Sequence, residues 1–175
     1  RTDSSKKSEQ DSAERLENKR ALAVEYPGRF AVQFALGKAL YEAGELDAAL
    51  VPLERAVALA PMATGIDSPR GVIATIAQDQ SDQERAMREL ELLLQHDQTS
   101  LEAARQLAAL AVEADDEDRM NLAYDRIIGI DPFDPVPHLA IGRMALARGD
   151  SVTSTREFQI ALALDPVDRV SAYCD

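Results

Sequence analysis

Residues Ala31–Pro61 read AVQFALGKALYEAGELDAALVPLERAVALAP, and their spacing predicts two short amphipathic helices folded back into a hairpin. Leu36, Gly37 and Leu40 share one helical face. Ala49, Leu53 and Ala56 share a face of the second helix. Gly44 lies between them, where the turn needs a residue that tolerates positive φ. Pro61 stops the second helix because it cannot continue the hydrogen-bond ladder. Gly37, Ala49 and Ala56 let the two helices approach closely, while Leu36 and Leu53 fill the space beside them.

The pattern returns at Ile141-Gly142, Ala145, Gly149, Ser154, Phe158, Ala161 and Pro166. Pro27, Pro61, Gln98, Pro132 and Pro166 mark repeat ends at spacings of 34, 37, 34 and 34 residues. These residues resemble the tetratricopeptide repeat, a helix–turn–helix unit of about 34 residues. In that family's order the first copy runs Leu36-Gly37, Leu40 in the aromatic place, Gly44, Ala49, Leu53, Ala56, Pro61. In the last copy Ser154 departs from the usual alanine and Ala145 from the usual aromatic. The resemblance covers roughly residues 12 to 175. It implies an all-α, right-handed solenoid of antiparallel helix pairs, in which each hairpin buries its face against its neighbours.

In chain order, residues 1–11 (RTDSSKKSEQD) are polar and without periodicity, and read as a disordered tail or linker. Ser12 is expected to cap a helix running through Leu16 and Leu22 to about Tyr26, a partial repeat over 12–27. Its Arg15 and Lys19 occupy places that small or apolar residues fill elsewhere, so that face reads as solvated. Repeat one spans 28–61. A three-residue slip follows, and Ser68-Pro69 opens the next helix, Arg70 to Gln78. Ser81 to Glu84 reads as a capping box for a helix carrying Ala86, Leu90, Leu93 and Leu94. Residues 66–98 thus form a hidden repeat two, without the glycine and proline. Repeat three (99–132) opens on a Thr99/Ser100 cap, turns at Asp115–Asp118 and carries Leu107, Ala111, Tyr124 and Ile127. Repeat four is 133–166, and 167–175 begin a further, unfinished repeat. The missing capping helix leads to the expectation that the native chain continues.

Hydrophobic residues make up 46% of the chain but aromatics only 5%, with no Trp, which suits Ala/Leu helix packing. The net charge of -12 argues against nucleic acid and anionic membranes as partners and favours solubility of an extended surface. No apolar run approaches the ~20 residues of a membrane span. One cysteine, Cys174, excludes an internal disulfide. A soluble protein of the cytoplasm or periplasm is expected.

No catalytic, cofactor-binding or metal-ligating residue is expected. His96 and His138 lie in different repeats and read as surface or packing residues. Cys174 has no neighbour that would lower its pKa. Gly37-Lys38 lacks the upstream glycine of a phosphate loop. Asp115–Asp118 lacks the glycine and ligand spacing of a calcium loop and reads as a charged turn. In Arg148-Gly149-Asp150-Ser151 the glycine is the one the repeat requires.

The resemblance implies that the first helix of each pair lines a concave groove for a peptide or helix. By repeat position the groove residues are Phe34, Lys38 and Tyr41 in repeat one, and Gly71, Thr75 and Gln78 in repeat two. Repeat three contributes Arg105, Ala109 and Val112, and repeat four Leu139, Arg143 and Leu146. Lys38, Arg105 and Arg143 are the expected anchors for an acidic partner. Repeats that clamp acidic chaperone tails carry a lysine and an asparagine where Phe34 and Lys38 stand here, so that partner class is set aside. The function expected is a non-catalytic protein–protein interaction scaffold. Two alternatives stand beside it. One is the C-terminal repeat appendage of a larger enzyme such as a hydrolase or peptidase. The other is a self-assembly module that pairs copies through the uncapped C-terminal end.

Overall fold

The computed structural model describes residues 2–164, with side chains for all of these except 2–9 and 11. The described residues form nine α-helices and no strand: α1 Thr2–Glu25, α2 Phe30–Glu42, α3 Leu46–Leu59, α4 Pro69–Asp79, α5 Gln83–His96, α6 Leu101–Glu113, α7 Glu117–Ile130, α8 Pro135–Ala147 and α9 Ser151–Leu164. The fold is an all-α solenoid of helix pairs. The chain divides into two compact units, one ending at His96 and one starting at Asp97. In the first, α2 pairs with α3 and α4 with α5, and α1 and α4 flank the α2–α3 pair. In the second, α6 pairs with α7 and α8 with α9, and α7 packs against α8. Pro166 and the expected further repeat over 167–175, with Cys174, lie outside the described residues.

Each pair is closed at a point where one helix presents a small residue and the other a large one. A β-carbon on Gly37 would sit 2.5 Å from Leu53 Cγ, and one on Gly142 2.6 Å from Phe158 Cε1. In the two intervening pairs Ala74 stands at the place of Gly37 and Leu90 at that of Leu53, and Ala108 and Tyr124 stand likewise; all four are buried. Close approach at these points is what lets short helices bury Leu40, Leu53, Ile73, Leu90 and Leu107.

The four turns inside the pairs share one geometry. Gly44 (φ 78°), Ser81 (φ 60°), Asp115 (φ 54°) and Gly149 (φ 77°) all take the left-handed conformation. The following amide in each turn closes a bond back to the preceding helix: Glu45 to Leu40, Asp82 to Ala77, Asp116 to Ala111 and Asp150 to Ala145, at 2.8–2.9 Å. The expected Ser81 capping box is therefore corrected. Ser81 supplies the left-handed residue where glycine is absent, and Asp82 caps α5, its Oδ1 accepting from the Arg85 amide at 3.1 Å. Asp116 and Asp150 cap α7 and α9 in the same way, at 3.0 Å. Ser68 and Ser100 cap α4 and α6 as expected.

Two further expectations are corrected. The helix begins at Thr2, ten residues before the expected Ser12 cap. No glycine or proline interrupts the sequence between Thr2 and Tyr26, so nothing in it stops a helix once the Ala21–Glu25 end is anchored. The slip at 62–67 is more than a spacer. A β-carbon on Gly71 would overlap the carbonyl of Ile66, so the inserted chain lies directly on α4. Gly71, expected to line the groove, is buried beneath it.

Two alanine substitutions should therefore move stability in opposite directions. Gly129 sits in α7 with open space around its β position. Gly129→Ala should stabilise the fold by about 0.5–1 kcal/mol through helix propensity. Gly71→Ala should destabilise it by about 1–3 kcal/mol, because the Ile66 backbone must give way. Urea unfolding midpoints of the two variants measure both.

Candidate functional site

In the first unit, Phe34, Lys38 and Tyr41 follow one stripe of α2, and Thr75 and Gln78 lie on α4, which packs beside α2. Phe34 is half-buried and stacks on Phe30, with ring centroids 5.8 Å apart. Lys38 is exposed and has no ion-pair partner among the described residues. Burial first, and then the charge and hydrogen bond of Asp79, raise the Tyr41 hydroxyl above its ordinary value. Thr75 turns inward on its own helix, its Oγ1 donating to the Gly71 carbonyl at 3.0 Å.

In the second unit, Arg105 and Val112 lie on α6, and Leu139, Arg143 and Leu146 on α8. Val112 is 52% and Leu146 58% exposed. Leu139 is half-buried. Arg105 Nη2 holds Asp134 Oδ2 at 3.0 Å, while the other oxygen of Asp134 caps α8 through the Val136 amide. Arg105 is thus engaged with the start of α8. Arg143 is exposed and has no ion-pair partner among the described residues. Of the three expected charge anchors, Lys38 and Arg143 stand free and Arg105 is paired.

No protein-family model matches the chain, and no curated protein matches it. Solved structures do. The crystal structure of MamA superposes with a TM-score of 0.62 at 17% identity, over 91% of this chain and 92% of that one. A fragment of MamA from Desulfovibrio magneticus RS-1 gives 0.57 at 18% identity, over 90% and 88%. YrrB, described as a TPR protein with an unusual peptide-binding site, gives 0.61 at 13% identity, over 95% and 84%. The chain has the tetratricopeptide-repeat fold.

Laying the repeats over one another exposes a set of residues that the groove reading passed over. Four residues before the Gly37, Ala74, Ala108 and Gly142 contact points, the first helices carry Gln33, Arg70, Ala104 and His138 in repeats one to four. Nineteen residues on, the second helix carries Pro52, Glu89, Ala123 and Glu157. Arg70 Nη1 meets Glu89 Oε2 at 2.9 Å across α4 and α5. His138 Nδ1 meets Glu157 Oε2 at 2.8 Å across α8 and α9, and both side chains are buried. Arg156 covers the other oxygen of Glu157 with two hydrogen bonds. The expected packing role of His138 holds, with a hydrogen-bonded carboxylate partner that the sequence did not name. The signal was the recurrence of a polar–acidic pair at one repeat register. Among the described residues no group of three or more His, Cys, Asp or Glu is placed to hold a metal ion. Nor is any helix among them long and apolar enough to cross a membrane.

Burial opposes the charge on Glu157, but hydrogen bonds from His138 and Arg156 outweigh it and hold the carboxyl below its ordinary value of 4.5. A depressed carboxylate stabilises the fold in full above its unfolded pKa. That contribution is lost as pH falls through the lower folded value. Melting followed by circular dichroism should therefore show a loss of stability between about pH 5 and about pH 3 that is shallower in Glu157→Gln. Equal slopes in the two proteins would show that this pair does not govern the acid limb.

Proposed function

We propose that this chain is a non-catalytic protein-interaction scaffold, in which the first helices of the repeats receive a partner peptide or helix. The observation that carries the reading is on α8. Arg143 is exposed and without an ionic partner among the described residues, and it lies one helical turn from the exposed Leu146. An apolar side chain held out to water beside an uncommitted cation is a surface suited to an amphipathic, acidic ligand. The solved fold of YrrB, described as having a peptide-binding site, supports the same use of this architecture. In the first unit Lys38 is the corresponding cation, with Phe34 and Tyr41 beside it as aromatic contacts.

Within this reading Lys38 and Arg143 meet the partner's carboxylates. Arg105 shapes the surface by holding the start of α8. Affinity capture with the intact chain, followed by binding measurements on the captured partner, separates these roles. Lys38→Glu and Arg143→Glu should each weaken binding about fivefold at low salt and leave the melting temperature unchanged. Arg105→Glu should lower the melting temperature, because it sets a carboxylate against Asp134. A partner bound equally well by the Lys38→Glu/Arg143→Glu double variant would overturn the assignment of this face.

A further inference from the structure

Among the described residues four glycines stand inside helices, and three of them meet a neighbour. A β-carbon on Gly37, Gly71 or Gly142 would collide with Leu53, Ile66 or Phe158. Gly129 is the exception. It is exposed in the last turn of α7, with nothing within 4 Å of its β position. No contact within the described chain calls for a glycine there, and a helix disfavours one. Gly129 lines an open groove of about 760 Å³ together with Leu122, Asp125 and Arg126. These residues follow one face of α7, three, four and seven places along from Leu122.

Both charges on this face are uncommitted. Asp125 is exposed and Arg126 partly buried, and neither has an ion-pair partner among the described residues. The first unit shows how the acid is answered elsewhere. Glu54 stands seven residues before Pro61, as Asp125 does before Pro132. Arg85, the third residue of α5, holds Glu54 at 2.7 Å. The third residue of α9 is Thr153, which has no charge to offer Asp125. Successive residues diverge around a helix, so Arg126 does not answer its neighbour either. Leu122, 42% exposed, lies one turn before them.

Read forwards the face runs Leu122, Asp125, Arg126, Gly129; read backwards it is its own complement, small for large and cation for anion. We propose that it pairs with the same face of a second copy of this chain, the two α7 helices antiparallel about a two-fold axis between Asp125 and Arg126. That axis sets Asp125 against Arg126 of the second copy and Leu122 against Gly129 of the second copy, and makes each contact twice. The small-against-large closure that joins helices within each pair then also joins α7 to α7. A single helix face is less than a standard interface, so the dimer is weak, with a Kd on the order of 100 µM. The site uses none of the residues assigned to the first-helix surface, and the two readings stand or fall separately.

Sedimentation equilibrium of the intact chain, carried to about 1 mM, tests the pairing. The net charge of -12 makes two copies repel, so the buffer holds ~0.15 M salt, where that repulsion reaches only about 8 Å. A monomer–dimer equilibrium is expected. Asp125→Arg and Arg126→Asp should each weaken it about tenfold or more, by setting like charges together twice. The first makes the net charge two units less negative and the second two units more, so an effect of overall charge would move them in opposite directions. The double variant Asp125→Arg/Arg126→Asp should dimerise as the unchanged chain does. The two single variants, mixed, should pair with each other. Gly129→Gln keeps the helix and fills the space that Leu122 of the second copy needs, and should abolish the dimer. Lys38→Glu and Arg143→Glu should shift it less than about twofold. Circular-dichroism melting checks that each variant is folded. A chain that stays monomeric throughout would overturn the proposal. So would a dimer indifferent to Asp125→Arg and Arg126→Asp, or one that neither the double variant nor the mixture restores.

Discussion

The contact on which the rest of the structure depends is the near-touching of two helices at one point in each repeat. Gly37 against Leu53 and Gly142 against Phe158 leave no room for a methyl group. Ala74 and Ala108 are the largest residues present at that place. With helices of only 11 to 14 residues after α1, each pair has few turns in which to bury its apolar face. A wider separation would open voids that no side chain here is large enough to fill, since aromatics are scarce. From that contact follow the turn geometry, the left-handed residue in each turn and the outward placement of the opposite helix faces.

The repeat itself was legible because small residues and turn residues recur at fixed intervals. Gly44 and Gly149 announced their turns. Asp115 fell within the turn read at Asp115–Asp118, but Ser81 hid its own, because serine ordinarily signals a helix start, and only the backbone shows both carrying positive φ. The length of α1 was not legible, since a polar segment without hydrophobic periodicity reads the same whether or not it is helical. Neither was the burial of Gly71. Its position in the repeat pointed to the inner surface, but three inserted residues brought the Ile66 carbonyl onto it.

At particular residues of the proposed surface the chemistry was not legible in the sequence. Repeat position placed Lys38, Arg105 and Arg143 on equivalent helices, and position alone cannot tell a free cation from a committed one. Arg105 is held by Asp134, which also caps α8, so one carboxylate both fixes a helix start and neutralises an expected anchor. Thr75 is likewise engaged, by the Gly71 carbonyl. The register that holds Gln33, Arg70 and His138 escaped notice for the opposite reason. Gln33, Arg70 and His138 look like surface residues by type, yet each is drawn inside by a partner on another helix.

The linked identities at these two places bear on how the repeats of one array drift apart from a common ancestor. Arg70 opposite Glu89 and Gln33 opposite Pro52 cannot be exchanged one residue at a time. An arginine facing Pro52 would be a largely buried charge without its counter-ion, and a lone Glu89 would be the same fault reversed. Ala104 and Ala123, both buried and both small, have the composition of a neutral way-station through which either polar arrangement is reached without stranding a charge. Copies that look degenerate by their consensus residues thus differ in paired positions, so that a single exchange between them would strand a charge.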